Sequence, residues 1–130
     1  MGIVGPGLYR GAMDLEALLA YCLAKPGAEE TYPWGEGEMV AKVGDKGFAF
    51  VGLGTPGAVS LKATPEDSAA WRQRHPDAIT ASAYIGRFGW NSVTLDGTVP
   101  DDEVVELVDD SYRLICAKLP KSKRPEGWDE

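Results

Sequence analysis

The sequence predicts a two-layer α+β fold, in which helices pack on one face of an antiparallel sheet. Two observations support this prediction. Three segments carry the capping residues or apolar spacing of helices, and four short β-prone segments lie between the first helix and the last. Glycine-rich turns join the first three of these strands, which favours antiparallel neighbours. We therefore expect one sheet face to be covered by helices and the other to be open.

The three helices are predicted from capping and periodicity. The first spans about residues 15–24, with Asp14 as its N-cap and Met13 placed to pack against Leu18. The second opens at Thr64-Pro65 and closes at His75-Pro76. The third begins near Pro100 and has an apolar stripe at helical spacing, formed by Val105, Val108, Tyr112, Ile115, Cys116 and Leu119.

The strands are predicted from short β-prone runs. Residues 39–43 and 48–53 form a hairpin around the turn 44–47, and residues 58–63 follow as a third strand. Residues 79–85 fit either a strand or an extended loop. From Trp90 onward the sequence alternates, which places Trp90, Ser92 and Thr94 on one face and Asn91, Val93 and Leu95 on the other.

Trp90 is the residue that this alternation marks for function. Val93 and Leu95 identify the core side, so Trp90 is expected to point outward. Lys62 is expected on the same open face, and Arg87 lies just before Trp90 in sequence. A large aromatic side chain beside basic residues predicts a contact surface.

The length and composition indicate one domain. Its 130 residues are enough for a single hydrophobic core. We expect a flexible N-terminal tail at residues 1–12, a domain at residues 13–123 and a C-terminal tail at residues 124–130. The two cysteines, Cys22 and Cys116, lie on apolar helix faces, which favours a reduced, cytoplasmic protein. No run approaches the ~20 apolar residues of a membrane span, and a monomer without cofactor or metal is expected.

The charge distribution divides the chain into acidic and basic parts. The net charge of −7 argues against a general nucleic-acid binder. Residues 14–38 hold six acids and one Lys, and residues 96–110 hold seven acids and no base. Residues 39–95 hold six bases against four acids, and Lys118, Lys121, Lys123 and Arg124 form a second basic cluster. The alternative is that these charges only form a solvated surface.

Motifs for catalysis are not supported by their context. The segment 52–57 matches the spacing G-x-G-x-x-G, but a strand follows it where a dinucleotide site needs a helix, so it is interpreted as a β-turn. His75 is the only histidine and is expected to cap a helix C-terminus or lie on the surface. The acids Asp101, Asp102 and Glu103 suit a helix first turn, and a weak hard-cation surface is the alternative. We expect a protein that is not an enzyme.

Several segments identify a resemblance to a known family. They are Tyr32-Pro33-Trp34-Gly35, Trp90-Asn91-Ser92-Val93-Thr94-Leu95-Asp96-Gly97 and residues 18–30, 42–49, 61–65, 111–114 and 118–121. With these segments the chain resembles the bacterial MmcQ/YjbR family over about residues 14–123. The resemblance implies a fold like that of the frataxin relative CyaY and a proposed double-wing mode of DNA binding. Family members often carry Lys-x-His-Trp, whereas this chain has Arg87-Phe88-Gly89-Trp90 and lacks the His.

The leading hypothesis is a non-enzymatic module that binds nucleic acid through the hairpin and the open sheet face. Lys42, Lys46, Lys62 and Arg87 would contact phosphates, Trp90 would stack on a base or sugar, and Asn91 belongs to the same contact set. The first alternative is a protein-interaction module that uses the Trp90 face. The second is a frataxin-like metal carrier that uses the acidic helices, and it rests on fold analogy.

Overall fold

Three helices and six strands form the α+β fold of residues 13–130, the part of the chain that the computed structural model describes. The helices are α1 (Leu15–Leu23), α2 (Pro65–Arg74) and α3 (Asp101–Ala117). The strands are β1 (Glu29–Thr31), β2 (Glu38–Val43), β3 (Lys46–Gly52), β4 (Gly57–Lys62), β5 (Ile79–Ala81) and β6 (Trp90–Leu95). The predicted N-terminal tail, residues 1–12, lies outside the described residues.

The helices begin where their capping residues predict. The Asp14 side chain accepts a hydrogen bond from the Ala17 backbone N–H at 2.8 Å, and Thr64 Oγ1 accepts one from the Asp67 N–H at 3.1 Å. Helix α3 starts after Pro100, as predicted. Its buried stripe differs from the predicted one, since Val104, Leu107 and Ser111 are also buried and Val105 is only half-buried. None of the helices among residues 13–130 is long and apolar enough to cross a membrane.

The six strands form one antiparallel sheet in the order β1-β2-β3-β4-β6-β5. The predicted hairpin is present, and Gly44 and Asp45 form its two-residue turn with φ values of 55° and 71°. Two successive residues with positive φ match the twist of the flanking strands. Strand β1 was not predicted, because its three residues are polar and show no apolar alternation. Only residues 79–81 of the undecided segment 79–85 form a strand.

All three helices pack on one face of the sheet and leave the other face open. Helix α3 packs on β2, β3 and β4, whereas α2 packs on β5 and β6. Phe48 reaches Tyr112 of α3 in an edge-to-face contact, with ring centroids 5.2 Å apart. Cys22 and Cys116 are buried free thiols, as expected from their helix faces, and burial raises the pKa of Cys22 to about 12. The predicted two-layer arrangement is confirmed.

The C-terminal residues 124–130 pack against the domain, where the sequence had suggested a tail. Arg124 donates hydrogen bonds to the backbone oxygens of Leu119 at 3.0 Å and Ala117 at 2.8 Å. Its guanidinium also lies over the Trp128 ring, 5.4 Å from the centroid. This segment therefore caps the end of α3.

Ser111 of α3 links the helix layer to two strands. Its Oγ donates to the Phe48 carbonyl at 2.7 Å and accepts from the Lys62 N–H at 2.9 Å. Replacing Ser111 with Ala leaves two backbone groups without these partners, so we expect the free energy of unfolding to fall by about 2 kcal/mol. Urea unfolding measures this change, with the exposed Ser122→Ala as a control near zero. Equal effects of the two substitutions would contradict the bridging role.

Candidate functional site

Trp90 lies on the open face as predicted, but it is not exposed. Lys62 and Trp90 are register partners on β4 and β6, so the two side chains share this face, as expected. However, Trp90 is only 8% exposed, because Phe50 packs against it in an edge-to-face contact with centroids 5.2 Å apart. Alternation along one strand identifies the face of a residue, but not what a neighbouring strand places over it. The prediction of an exposed Trp90 is therefore wrong, and the ring belongs to the floor of the open face.

Asn91 is also removed from the contact surface. It is 2% exposed and faces the helix layer. Its Nδ2 donates to the Ser68 backbone oxygen at 3.0 Å, and its Oδ1 accepts from Arg72 at 2.9 Å. A buried amide needs partners of this kind, and here both lie on α2. Asn91 therefore fastens α2 to β6, and its assignment as a contact residue is wrong.

The four predicted basic residues gather near one end of the sheet. Lys42 pairs in register with Gly47 beside the hairpin turn, and Lys46 closes that turn. Lys62 ends β4, and Arg87 lies in the short 3₁₀ turn Gly86–Phe88 before β6. We call Lys42, Lys46, Lys62 and Arg87, together with Lys118, the basic end. Lys118 joins the group because it directly follows α3, a placement that the sequence did not reveal.

Only Lys42 of the basic end has an acidic register partner in the sheet of the described residues, namely Glu29 of β1. None of the five residues forms an ion pair within residues 13–130. The pKa of Lys62 is lowered from its ordinary value of 10.5 to about 8, first by the adjacent Lys118 and then by burial and by Lys46. Repulsion between ammonium groups favours the neutral form of Lys62. Lys46 and Lys118 thus lie close enough to Lys62 to affect its protonation.

A groove crosses the open face, and its lining residues Tyr84 and Ile85 come shortly before Arg87 in the chain. Its volume is about 870 Å³, and we call it the aromatic groove after its lining residues Trp34, Phe50, Tyr84 and Ile85. Ser60 and Ser92 line it as well. Trp34 is 66% exposed and Tyr84 is 95% exposed. Exposed rings around a concavity are unusual on a small domain and indicate a binding surface.

The loop that carries Tyr84 is anchored to the open face. Ser82 Oγ donates to Ser60 Oγ at 3.1 Å, and the Ser82 N–H donates to the Trp90 oxygen at 3.0 Å. The chain then turns at Tyr84, whose φ is 66°, a conformation that a residue with a large side chain rarely adopts. Arg87 follows, with its guanidinium 4.8 Å from the centroid of the Phe88 ring.

Gly89 holds the base of this loop at a point where no side chain fits. Its φ is 95°, and a Cβ built on it would lie 2.1 Å from the Ala63 oxygen. The Gly89 oxygen accepts hydrogen bonds from the Ala63 N–H at 2.9 Å and from Ser68 Oγ at 2.6 Å. A side chain at position 89 would therefore overlap the Ala63 backbone in this chain.

The remaining candidate residues have structural partners. His75 caps α2 through its backbone, and its Nε2 lies 2.7 Å from Glu103. Glu103 also accepts from Arg74 at 2.6 Å, and this pairing is the main cause that lowers the pKa of Glu103 to about 2. No group of three or more His, Cys, Asp or Glu side chains within residues 13–130 is arranged to hold a metal ion.

Sequence reasoning missed two features of this surface. Trp34 lies in the turn Tyr32-Pro33-Trp34-Gly35, and a turn on the surface directs side chains outward, so a signal was present. Tyr84 lies in a segment whose conformation the sequence left open. Four aromatic side chains of the described residues are therefore exposed, namely Tyr32, Trp34, Tyr84 and Phe88, and Trp34 and Tyr84 are the two that line the aromatic groove.

The fold and this open face define a small α+β domain with one sheet face left for contact. The chain belongs to the YjbR family, whose family model matches residues 23–114. It is 40% identical over 113 residues to the uncharacterized protein YjbR of Escherichia coli K12, a match that covers 86% of this chain and 95% of that protein. The protein of the same name from Escherichia coli O157:H7 matches equally.

Two crystal structures share the fold. The Deinococcus radiodurans protein DR2400, described as a DUF419 domain, superimposes with a TM-score of 0.81 at 32% identity, covering 90% of this chain and 89% of that one. A Pseudomonas syringae protein gives a TM-score of 0.67 at 21% identity, covering 78% of this chain and 98% of that one. The second likeness concerns the fold alone.

Proposed function

We propose that this protein is a non-enzymatic module that binds single-stranded nucleic acid on its open sheet face. Bases stack on Trp34 and Tyr84 in the aromatic groove, and phosphates contact the basic end. The observation that carries the proposal is that the loop 82–88 joins the two features, since Tyr84 and Ile85 line the aromatic groove and Arg87, a cation without an ion pair within residues 13–130, follows them. Proteins that bind single strands combine these two features.

The exposed aromatic rings of the groove favour binding of a single strand over binding of a duplex. In a duplex the base faces are stacked on each other, so exposed rings have nothing to stack against. Tyr84 stands on a loop tip and Trp34 on a turn, and both line the same concavity. Unpaired bases can enter between them. Trp90 takes no direct part, because Phe50 covers it.

The acidic charge of the chain lies mostly away from this face. Helix α3 carries Asp101, Asp102 and Glu106 on the layer behind the sheet. Glu38 is an acidic residue that lines the aromatic groove, and it lies at the opposite end of β2 from Lys42. The net charge of −7 nonetheless opposes a polyanion at long range. We therefore expect measurable binding at low salt and a steep loss as salt rises.

Fluorescence anisotropy with a short oligothymidylate that has hydroxyl groups at both ends tests the proposal. Arg87→Ala and Lys46→Ala are each expected to weaken binding about threefold to tenfold and to reduce the salt slope by about one. Lys121→Ala is the matched control, an exposed lysine outside the basic end, and is expected to bind like the wild type. Absence of binding at low salt, or equal effects of Arg87→Ala and Lys121→Ala, would reject the proposal.

The alternative, a protein-interaction module, uses the same groove with different anchors. Trp34 and Tyr84 replace Trp90 as the aromatic residues that a partner would contact. A partner that binds wild type but not Trp34→Ala, together with no oligothymidylate binding, is the result that favours this alternative.

A further inference from the structure

A second concavity, which we call the basic pocket, is lined by Arg87 and Phe88, shortly after the groove residues Tyr84 and Ile85 in the chain. Its volume is about 370 Å³, and it lies between the end of β4, the turn Gly86–Phe88, the start of α2 and the end of α3. Three of its lining residues are cationic, namely Lys62, Arg87 and Lys118. Its apolar lining comes from Pro65, Phe88 and Leu114.

Among residues 13–130, no carboxylate side chain lines the basic pocket. Lys62, Arg87 and Lys118 have no ion pair within the described part of the chain, and residues 1–12 contain no Asp or Glu. The pKa of Lys62 falls to about 8 mainly because Lys118 is adjacent, so the two ammonium groups repel each other across this space. A bound anion would relieve that repulsion.

The anion-binding groups of the pocket are its cationic side chains, not the backbone N–H groups at the start of α2. The first turn of α2 already has partners, since Thr64 Oγ1 accepts from the Asp67 N–H, and Glu66 and Asp67 complement the helix dipole. Lys62 is held in place through its backbone, whose N–H donates to Ser111 at 2.9 Å. Arg87 is oriented by the Phe88 ring, which lies beneath its guanidinium at 4.8 Å.

We infer that the basic pocket binds the dianionic phosphate of an organic phosphomonoester, such as a terminal phosphate on a nucleic-acid strand or the phosphate of a free nucleotide. This inference rests on the proposed function and deepens it, because it assigns the phosphorylated end of a strand to the basic end. A phosphomonoester carries a charge of about −1.5 to −2 at neutral pH, whereas a backbone phosphodiester carries about −1. Three converging cations therefore favour the monoester.

The chemistry of the lining fits this ligand. Arg presents a planar fork that bonds two phosphate oxygens, and each Lys adds a point charge with freely oriented donors. The cavity is within the size range of small-molecule pockets, roughly 300 Å³ and above. Its apolar wall of Pro65, Phe88 and Leu114 suits the sugar and base attached to the phosphate. The half-exposed Phe88 ring offers a stacking surface for that base.

Binding is expected to be coupled to proton uptake. In the free protein the pKa of Lys62 is about 8, held down by Lys118, burial and Lys46. A dianion beside Lys62 raises this pKa, so the protein takes up protons on binding near pH 8. Affinity should therefore fall as pH rises above about 8, as Lys62 loses its charge in the free protein.

Isothermal titration calorimetry of the full chain tests the inference with three probes, namely inorganic phosphate, thymidine 5′-monophosphate and thymidine. We expect the monophosphate to bind, inorganic phosphate to bind more weakly and thymidine not to bind. Lys118→Ala should lower the affinity for the monophosphate at least about tenfold, since loss of a hydrogen bond to a charged group costs that much or more. Lys121→Ala is the control and should leave its affinity unchanged. Titrations near pH 8 in buffers that differ in their enthalpy of ionisation measure the number of protons taken up when the monophosphate binds.

Oligothymidylates with a 5′-phosphate, a 3′-phosphate or hydroxyl ends separate this inference from the proposed function. Tighter binding of a phosphorylated strand, lost in Lys118→Ala, supports both. Monophosphate binding without any strand binding upholds the pocket as a free-nucleotide site and rejects the proposed function. Equal binding of all three strands, with no affinity for the monophosphate, overturns the inference and leaves the proposed function standing. Absence of binding by every probe overturns both.

Discussion

Replacing Gly89 with Ala is expected to lower the free energy of unfolding by about 3 kcal/mol or more. A side chain at a φ of 95° costs about 1–2 kcal/mol by itself. The new Cβ would also lie 2.1 Å from the Ala63 oxygen, and relief of that overlap requires movement of the β4 end or of the loop. Urea or thermal unfolding measures the loss.

Gly37→Ala is the matched control, because nothing lies within 4 Å of the Cβ that it would introduce. We expect this substitution to change the free energy of unfolding by less than about 0.5 kcal/mol. Similar losses for the two variants would contradict the close approach at Gly89. Since Ala63, Arg87 and Phe88 all line the basic pocket, the tight contact at Gly89 is also what brings the loop beside Lys62.

The double substitution Trp34→Ala and Tyr84→Ala is expected to weaken binding of a short oligothymidylate by at least about thirtyfold. Each stacked base contributes about 1–3 kcal/mol by alanine substitution, so the loss of two rings removes about 2 kcal/mol or more. Both side chains are largely exposed, and their removal should leave the free energy of unfolding nearly unchanged. Anisotropy titration measures the binding, and urea unfolding checks the fold.

Tyr32→Ala is the control for this prediction. Tyr32 is also an exposed aromatic residue, close to Trp34 in the sequence, but its hydroxyl group donates to Glu30 and the residue does not line the aromatic groove. We expect wild-type affinity for this variant. An unchanged affinity in the double variant would show that the groove does not hold the bases.

Most of the fold was predictable because its signals are local. Asp14 and Thr64 mark helix starts through single hydrogen bonds, and the Gly44-Asp45 turn fixes the register of its hairpin. Strand β1 escaped prediction because its residues Glu29, Glu30 and Thr31 have no apolar face, so only pairing with β2 makes them a strand. A strand that forms only through pairing with its neighbour cannot be predicted from its own residue pattern.

The candidate site was predictable only in part. The alternation in β6 correctly placed Trp90 on the open face beside Lys62, but Phe50 lies on β3 and covers Trp90 across the intervening β4. Coverage of this kind depends on side-chain reach between strands, and no single-strand pattern contains it. Likewise, Lys118 lies next to Lys62 only because α3 ends near the end of β4 that carries Lys62.

Chemical-shift mapping of the isotope-labelled protein, titrated with a hydroxyl-ended oligothymidylate at low salt, tests the central claim most directly. The account predicts that the largest amide shifts fall on Trp34, on the segment 82–88, and on Lys62 and Lys118 at the basic end. The exposed face of α3, with Asp102 and Glu106, should remain unshifted. Shifts concentrated on that helical face, or no shifts at all, would contradict the claim that the open sheet face binds single-stranded nucleic acid.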